Sequence, residues 1–320
     1  MSIIHKTRQR GVAVITALLL TTLALTIVAS LFWQQQVQVR SMENQRLHLQ
    51  IQWILRGTLD WTKLILQQEA MTQPFYTSLK DVWAVPLANT RIDQYVDRER
   101  VQGETFDANL SGQIYDATAR YNLIKLAENG IPAPVQVESF KRLLTSLRLD
   151  PALAIGAAQL VASGQVALGQ TSSGSQSSMP AKQMKTIELD DFLEVPGFTV
   201  DTIEALRKYA VVLPEPTPVN VNTAPAEVLA AVLSIQLATA QALVAQRDRS
   251  PWNDLAKFTS ALTGVGGTQP TDGAVGVTSE WFLVQSWLKL DRASLNTETL
   301  INRKMAAPLY KTDVIWTHQN

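Results

Sequence analysis

The chain has 320 residues, room for an anchor and two or three modest domains, and its 28 basic residues are balanced by 28 acidic ones. That neutrality argues against a nucleic-acid partner, which usually wants a basic face. The absence of cysteine excludes a disulfide framework, a thiol nucleophile and a thiolate-held zinc site, so any part outside the cytoplasm must fold on burial alone.

Lys6, Arg8 and Arg10 sit in a short polar leader that ends at Gly11. From Val12 to Phe32 there is no charge and no proline. A run of this length spans a hydrocarbon core roughly 30 Å thick. The basic residues before it stay in the cytoplasm, which puts the rest of the chain outside. Three readings apply to the segment. A cleaved secretory signal needs a shorter apolar core and a small-residue cleavage site, and Ala29-Ser30-Leu31-Phe32-Trp33 is a poor match. A plain uncleaved anchor is the second. The third is a signal of the type IV pilin kind, cut before the apolar run and after a glycine. Arg10-Gly11-Val12-Ala13 fits the third best, with cleavage between Gly11 and Val12 by a prepilin peptidase. Removing the leader takes away three positive charges and no acids, leaving a net charge of −3.

From Gln34 to Glu69 there is no proline, and Gly57 is the only glycine. Apolar residues at Val37, Val39, Met42, Leu47, Ile51, Ile54, Leu55, Leu59, Leu64 and Ile65 approximate an amphipathic helix. Anchor and stalk together predict one helix from Val12 to Glu69, roughly 85 Å long. The alternative is an anchor and a separate soluble helix, with the break at Gly57.

The head begins after Glu69. Pro74 to Asn89 holds short apolar pieces bounded by prolines, and Glu104 to Tyr121 reads as a hairpin about Ser111-Gly112. Val135 to Leu149 is an amphipathic helix. Pro151 to Gly164 is an alanine-rich one, capped by Asp150. Gly164 to Ala181 is a polar Ser/Gly/Gln loop. Two helical hairpins follow. In the first, Asp190-Asp191 starts a short helix, Pro196-Gly197 turns it, and Val200 to Val211 is the second helix. In the second, Asn222 or Thr223 caps a helix from Ala226 to Ser234, with Pro225 in its first turn, and Gln236 to Arg247 pairs with it. After the glycine-rich Gly264 to Gly276 the pattern returns to strand. Trp281 to Leu290 pairs with Ala293 to Asn302 across Asp291-Arg292, and Lys311 to Thr317 adds a last strand. Strands both precede and follow the helical region, which predicts an α+β head with a large helical domain inserted between its strands.

These segments resemble the K-type minor pseudopilins of bacterial type II secretion systems. The resemblance is carried by QRGVAVITALLL (Gln9 to Leu20), SGQIYDATARYNLIKL (Ser111 to Leu126) and LDDFLEVPGFTVDTIEALRKYAVVLP (Leu189 to Pro214). TPVNVNTAPAEVLAAVL (Thr217 to Leu233) and TSEWFLVQSWLKL (Thr278 to Leu290) complete it. It implies an organisation into leader 1–11, transmembrane helix 12–33, periplasmic stalk 34–70, a pilin-like α/β head split between 71–121 and 266–320, and an inserted all-α domain at 122–265. That domain would contain helix-hairpin-helix-like (SAM-like) modules, two subdomains and the loop 164–181. The resemblance further implies a single-pass protein of the bacterial inner membrane, with its N-terminus cytoplasmic and its head periplasmic. Its implied partners are minor pseudopilins of the I, J and H types, the inner-membrane assembly platform, the prepilin peptidase and the secreted proteins. Its implied role is to form and cap the pseudopilus tip.

Most pilins and pseudopilins carry a glutamate five residues past the cleavage site, thought to pair with the N-terminal amine of a neighbouring subunit. Counting from Val12, that residue here is Thr16. The K-type family shares this absence, which suits a subunit with nothing above it. The family also implies an Asp-rich, calcium-holding motif near the polar loop. This chain has GQTSSGSQSS at Gly169 to Ser178, so calcium rests on the resemblance alone and no cofactor is read from the residues.

Helix-hairpin-helix modules in other proteins clamp DNA phosphates through a Gly-x-Gly turn and nearby lysines. The hairpins here have Gly197-Phe198-Thr199 and Ile235-Gln236-Leu237 instead, which favours packing over a membrane-anchored DNA-uptake role. A membrane-anchored enzyme is the third class. Its histidines would be His5 in the leader, His48 on the stalk and His318 near the end, and no catalytic motif surrounds them.

Overall fold

The computed structural model describes residues 10–91, 108–166, 188–290, 293–304 and 310–319. The leader through Gln9, the first part of the expected hairpin, most of the loop 164–181 and the Asp291-Arg292 turn lie outside the described residues.

Helix α1 runs unbroken from Arg10–Thr72, which at 1.5 Å per residue is about 95 Å. Gly57 does not interrupt it. The buried stripe of Ile51, Leu55, Thr62, Leu66 and Ala70 recurs at helical spacing on both sides of Gly57. Packing of that stripe outweighs the roughly 1 kcal/mol that a glycine costs in a helix. The upper half, by contrast, exposes its apolar residues all round, as a lipid-facing segment does. Pro74, two residues past the last turn, ends the helix.

Two strands come next, β1 (Leu87–Arg91) and β2 (Ala108–Asp116). The chain then leaves the sheet. It passes through the two-residue strands β3 (Tyr121–Asn122), β4 (Ala127–Glu128) and β5 (Ile131–Pro132), then helices α2 (Pro134–Ser146), α3 (Leu153–Val166) and α4 (Val200–Leu206). Strands β6 (Ala210–Val211) and β7 (Val219–Asn220) follow, then α5 (Ala226–Leu233), α6 (Leu237–Arg249), α7 (Leu255–Gly264) and β8 (Val275–Gly276). The chain returns as three long strands, β9 (Trp281–Leu290), β10 (Ala293–Lys304) and β11 (Lys311–Gln319).

The main sheet has the order β1-β2-β9-β10-β11, and every pairing within it is antiparallel. Strands on either side of the helical region are therefore neighbours in one sheet, and the helical region is inserted between β2 and β9. This is the expected fold class. Even-numbered β9 residues Phe282, Val284, Leu288 and Leu290 pack under α1, in two clusters with Ile51, Leu55 and Leu66. On the other face Trp281 and Leu283 meet Val211 and Leu213 of the insertion, while Trp287 is 41% exposed. The insertion has its own core, built around Phe140, Leu143, Phe192, Leu206, Leu229, Leu243 and Phe258.

Several local expectations are corrected. Ser111-Gly112 is not a turn: β2 passes straight through it and pairs with β9 from Ala108 to Asp116. A Cβ on Gly112 would meet the carbonyl oxygen of Gln285 at 2.9 Å, so the glycine marks a close approach between strands. The short turn at Leu189–Glu194 is 3₁₀, and the Asp191 carboxylate accepts from Glu188 N at 2.9 Å, so the capping residue precedes the Asp pair. The second helix of the first hairpin ends at Leu206, and Ala210–Val211 is strand. Neither Asn222 nor Thr223 caps α5, whose N-cap is Pro225. Helix α7 lies where the sequence reading places none; Asp254 caps it, accepting from Ala256 N at 2.9 Å. Asp150 does receive the expected bond, from Ala152 N at 2.8 Å.

Candidate assembly site

Three features distinguish this head from a plain sheet-and-helix unit: the junction of the insertion with the sheet, the cleft beneath the insertion, and the anchor.

The junction is built on Asp116, the last residue of β2. Its Oδ1 accepts from Thr118 N at 2.8 Å and Thr118 Oγ1 at 2.7 Å. Its Oδ2 accepts from Ser279 Oγ and Thr223 Oγ1, both at 2.5 Å, and from Asn220 Nδ2 at 3.2 Å. A buried carboxylate is tolerated when its lone pairs are filled in this way. Asn220 and Thr223 belong to the insertion, and Ser279 stands at the chain's return to the sheet. The Asn220-Val221-Asn222-Thr223 stretch is thus spent on tertiary bonds. Asn222 likewise closes a pair with Trp252, accepting from its N–H at 2.9 Å and donating to its carbonyl at 2.8 Å.

One strand further on, Arg303 is 1% exposed. Its Nη2 donates to Thr77 Oγ1 at 2.9 Å and to the Ser279 carbonyl at 2.8 Å, its Nη1 reaches the Leu66 carbonyl of α1 at 3.4 Å, and the guanidinium lies 4.6 Å from the Phe282 ring centre. Burial pushes its pKa down, and Asp116, Glu69 and Asp81 act against that shift. Glu69, on the last turns of α1, is pushed up by burial and by Asp81, with Arg303 opposing. A continuous chain of polar contacts therefore runs from the stalk helix through Arg303, Ser279 and Asp116 to Asn220 and Thr223.

The cleft, of about 870 Å³, lies between the insertion and the sheet. Its floor includes a straight cross-strand row: Gln113 opposes Gln285, Gln285 opposes Glu298, and Glu298 opposes His318. Gln285 Nε2 donates to Glu298 Oε1 at 3.3 Å, and His318 Nε2 lies 3.1 Å from Glu188 Oε1 of the insertion. Arg207 is bonded by Glu204 and Asp190. These groups do not make a nucleophile–base pair. Among the described residues no set of three or more His, Asp or Glu side chains is gathered to hold a metal ion.

The anchor carries the residues singled out in the sequence. Gly11 and Val12 lie in the first turn of α1. Thr16 is one turn on, and its Oγ1 donates to the Ala13 carbonyl at 3.0 Å. Thr21, Thr22 and Thr26 make the same bond three residues back, so these four threonine hydroxyls are satisfied within their own helix. The structure keeps these residues far from the cleft. His48 stands on the stalk beside Gln52, 3.0 Å away.

The helical hairpins turn inward. Phe198, in the turn where a DNA clamp would need a small residue, is buried and its ring centre is 5.8 Å from that of Phe192. Arg142 of α2 donates to the Ala231 carbonyl of α5 at 2.9 Å, fixing the second hairpin to its neighbour. Sequence reasoning missed Asp116 and Arg303. The Asp116-Ala117-Thr118 spacing, in which an Asp side chain bonds the backbone two residues on, was the available signal for the first. Nothing local marks the second.

Two family models, both described as type II secretion system (T2SS) protein K, match residues 119–215 and 219–278, inside the insertion. The chain is similar to the type II secretion system protein K of Pseudomonas aeruginosa, at 28% identity over 91% of this chain and 88% of that relative. It is similar to the protein of the same name from Klebsiella pneumoniae, at 25% identity over 93% of each. Its fold matches a chain in the crystal structure of the GspK–GspI–GspJ complex from the enterotoxigenic Escherichia coli type 2 secretion system. The TM-score is 0.62 at 17% identity, covering 87% of this chain and 99% of that one.

Proposed function

We propose that the chain is a minor pseudopilin of the type II secretion system protein K family and that it caps the tip of the pseudopilus, joining other minor pseudopilins there to start filament assembly. Thr16 carries this reading. At the position where a repeated filament subunit presents an intramembrane carboxylate to its neighbour, this chain places a hydroxyl bonded to its own helix. A carboxylate there would need a partner, because an ionised group in the bilayer is costly alone. The insertion supports the same reading: it enlarges the head on one side of the sheet and would obstruct a second copy stacked above.

Cleavage between Gly11 and Val12 by a prepilin peptidase, an inner-membrane position with the head in the periplasm, and service in the export of folded proteins across the outer membrane belong to the proposal. Its partners are the I-, J- and H-type pseudopilins and the assembly platform. The complex that names the structural neighbour supports the first two of these partners. Calcium has no carboxylate cage among the described residues, and no role is assigned to it. The test is co-expression of the full chain with tagged I- and J-type pseudopilins in one membrane, followed by detergent extraction. Recovery as one complex in fixed stoichiometry is expected. Recovery of the chain alone would overturn the partnership.

A further inference from the structure

Gly57 stands well inside α1, yet nothing in the described fold asks for it. A glycine costs about 1 kcal/mol in a helix interior. Gly112 shows the ordinary reason for keeping one, a neighbour that leaves no room for a side chain. A Cβ on Gly57 would meet nothing within 4 Å among the described residues. One turn to either side stand Trp53 and Trp61, 67% and 52% exposed. Spaced four residues apart, Trp53, Gly57 and Trp61 lie on one row of the helix surface. The row is two large knobs with a notch between them.

Met42, Leu49, Leu64 and Met71, all exposed, extend the row at helical spacing. At 3.6 residues per turn these positions share an arc of about 120°. The arc lies on the opposite side of α1 from Ile51, Leu55 and Leu66, which face the sheet. The bilayer does not account for the stripe. Trp53 lies about 30 Å beyond Phe32, the end of the apolar run, and so outside the headgroup belt where tryptophans gather.

The stripe has the size and shape to take a second helix. Its two tryptophans offer roughly 300 Å² of apolar surface. With the other four side chains it comes near the roughly 800 Å² that one partner contributes to a standard interface. Rows at four-residue spacing are what a packed helix interdigitates with. Because α1 runs unbroken into the apolar run, a helix laid along the stripe leads back to the same bilayer. A second copy of this chain fits poorly. Symmetric crossing at Gly57 would bring the two copies' Arg56 side chains together, like charges at the centre of the contact. In this chain that guanidinium lies 5.4 Å from the Trp53 ring centre, beside the notch.

We propose that the Trp53–Gly57–Trp61 row of α1 is the docking site for one helix of a different membrane-anchored chain, which crosses α1 at Gly57 and sets a large aliphatic side chain between the two tryptophans. The inference rests on the tip reading only for the identity of that chain, which is then the stalk of an I-, J- or H-type pseudopilin.

The test is photo-crosslinking of the full chain in intact membranes, with tagged I-, J- and H-type pseudopilins co-expressed. The photoreactive p-benzoylphenylalanine replaces Trp53, Trp61 or, as an exposed position off the stripe, Gln52. Adducts from positions 53 and 61 to a helix of one of these pseudopilins are expected, with about tenfold fewer from position 52. Adding Gly57→Leu should lower the yields from 53 and 61 about tenfold, the loss expected when overpacking removes about 1.4 kcal/mol of binding. The same substitution in the purified chain should leave the melting temperature equal to or above the parent's, because the side chain enters open space and the glycine's helix cost is removed. Adducts to lipid alone, adducts to a second copy alone, no adducts, equal yield from position 52, or yields that ignore Gly57→Leu would each overturn the docking site. A Gly57→Leu chain that melts below the parent would overturn it too, since the notch would then serve the fold itself. Gly57-dependent adducts to a membrane-anchored chain other than these pseudopilins would keep the docking site and count against the partners named in the tip reading.

Discussion

Asp116 and Phe282 face each other across the β2–β9 ladder, so the whole of 117–280 leaves and re-enters the sheet one strand spacing apart. An insertion with adjacent ends leaves the strand order of its host unchanged. The cost is a buried seam between two units, and the polar chain from Arg303 through Ser279 to Asp116 occupies that seam. It fixes the insertion relative to the stalk helix, and so relative to the membrane.

Asp116→Ala removes five hydrogen bonds and leaves Thr223, Ser279 and Asn220 facing an apolar gap. Loss of a buried, hydrogen-bonded charge should destabilise the fold by about 3 kcal/mol. Chemical denaturation of the purified chain gives the number. A change below about 0.5 kcal/mol, the range of ordinary surface substitutions, would show that the hub is not structural.

Gly112→Val tests the close approach between β2 and β9. The added side chain meets the Gln285 carbonyl, and overpacking of this kind costs about 1–3 kcal/mol. A variant as stable as the parent would mean that the strands separate easily there.

Glu69 gives a pH prediction of definite sign. Burial and Asp81 raise its pKa in the folded chain, so the folded state favours the protonated form. Its contribution is therefore most favourable at low pH and is lost as the pH rises through the raised value. Glu69→Gln should be more stable than the parent at pH 7, with the two melting curves converging as the pH falls into the ordinary carboxylate range. Equal stability at pH 7, or a gap that widens on acidification, contradicts this.

How much of this was legible beforehand varies by element. The anchor and stalk were readable because a charge-free run followed by a 3.6-residue pattern leaves few alternatives. Strands β9 and β10 were readable from bulky, partly alternating residues, Trp281 to Leu290 above all. Ser111-Gly112 misled because glycine marks both turns and close backbone approach, and only the partner strand decides between them. Asn222 and Thr223 have the chemistry of helix caps, but their side chains are claimed by Trp252 and Asp116, many residues away. Arg303 could not be read at all. Its burial depends on Leu66, Thr77 and Ser279, which come together only in the folded chain.

Processing is the next prediction. Gly11→Leu should leave a longer, uncut chain if the cut falls, as proposed, after Gly11 and before the apolar run. A mature N-terminus found after Ser30 would instead mark an ordinary secretory signal.

Thr16→Glu should place a charge within the span at a cost of about 2–3 kcal/mol on insertion scales, with secretion reduced. Undiminished secretion would remove Thr16 from the account.

The central claim is position, and immunogold labelling of isolated pseudopili carrying a tagged copy of this chain tests it most directly. The account predicts gold at one end of each filament and none along its length. Gold spaced regularly along the filaments would contradict it.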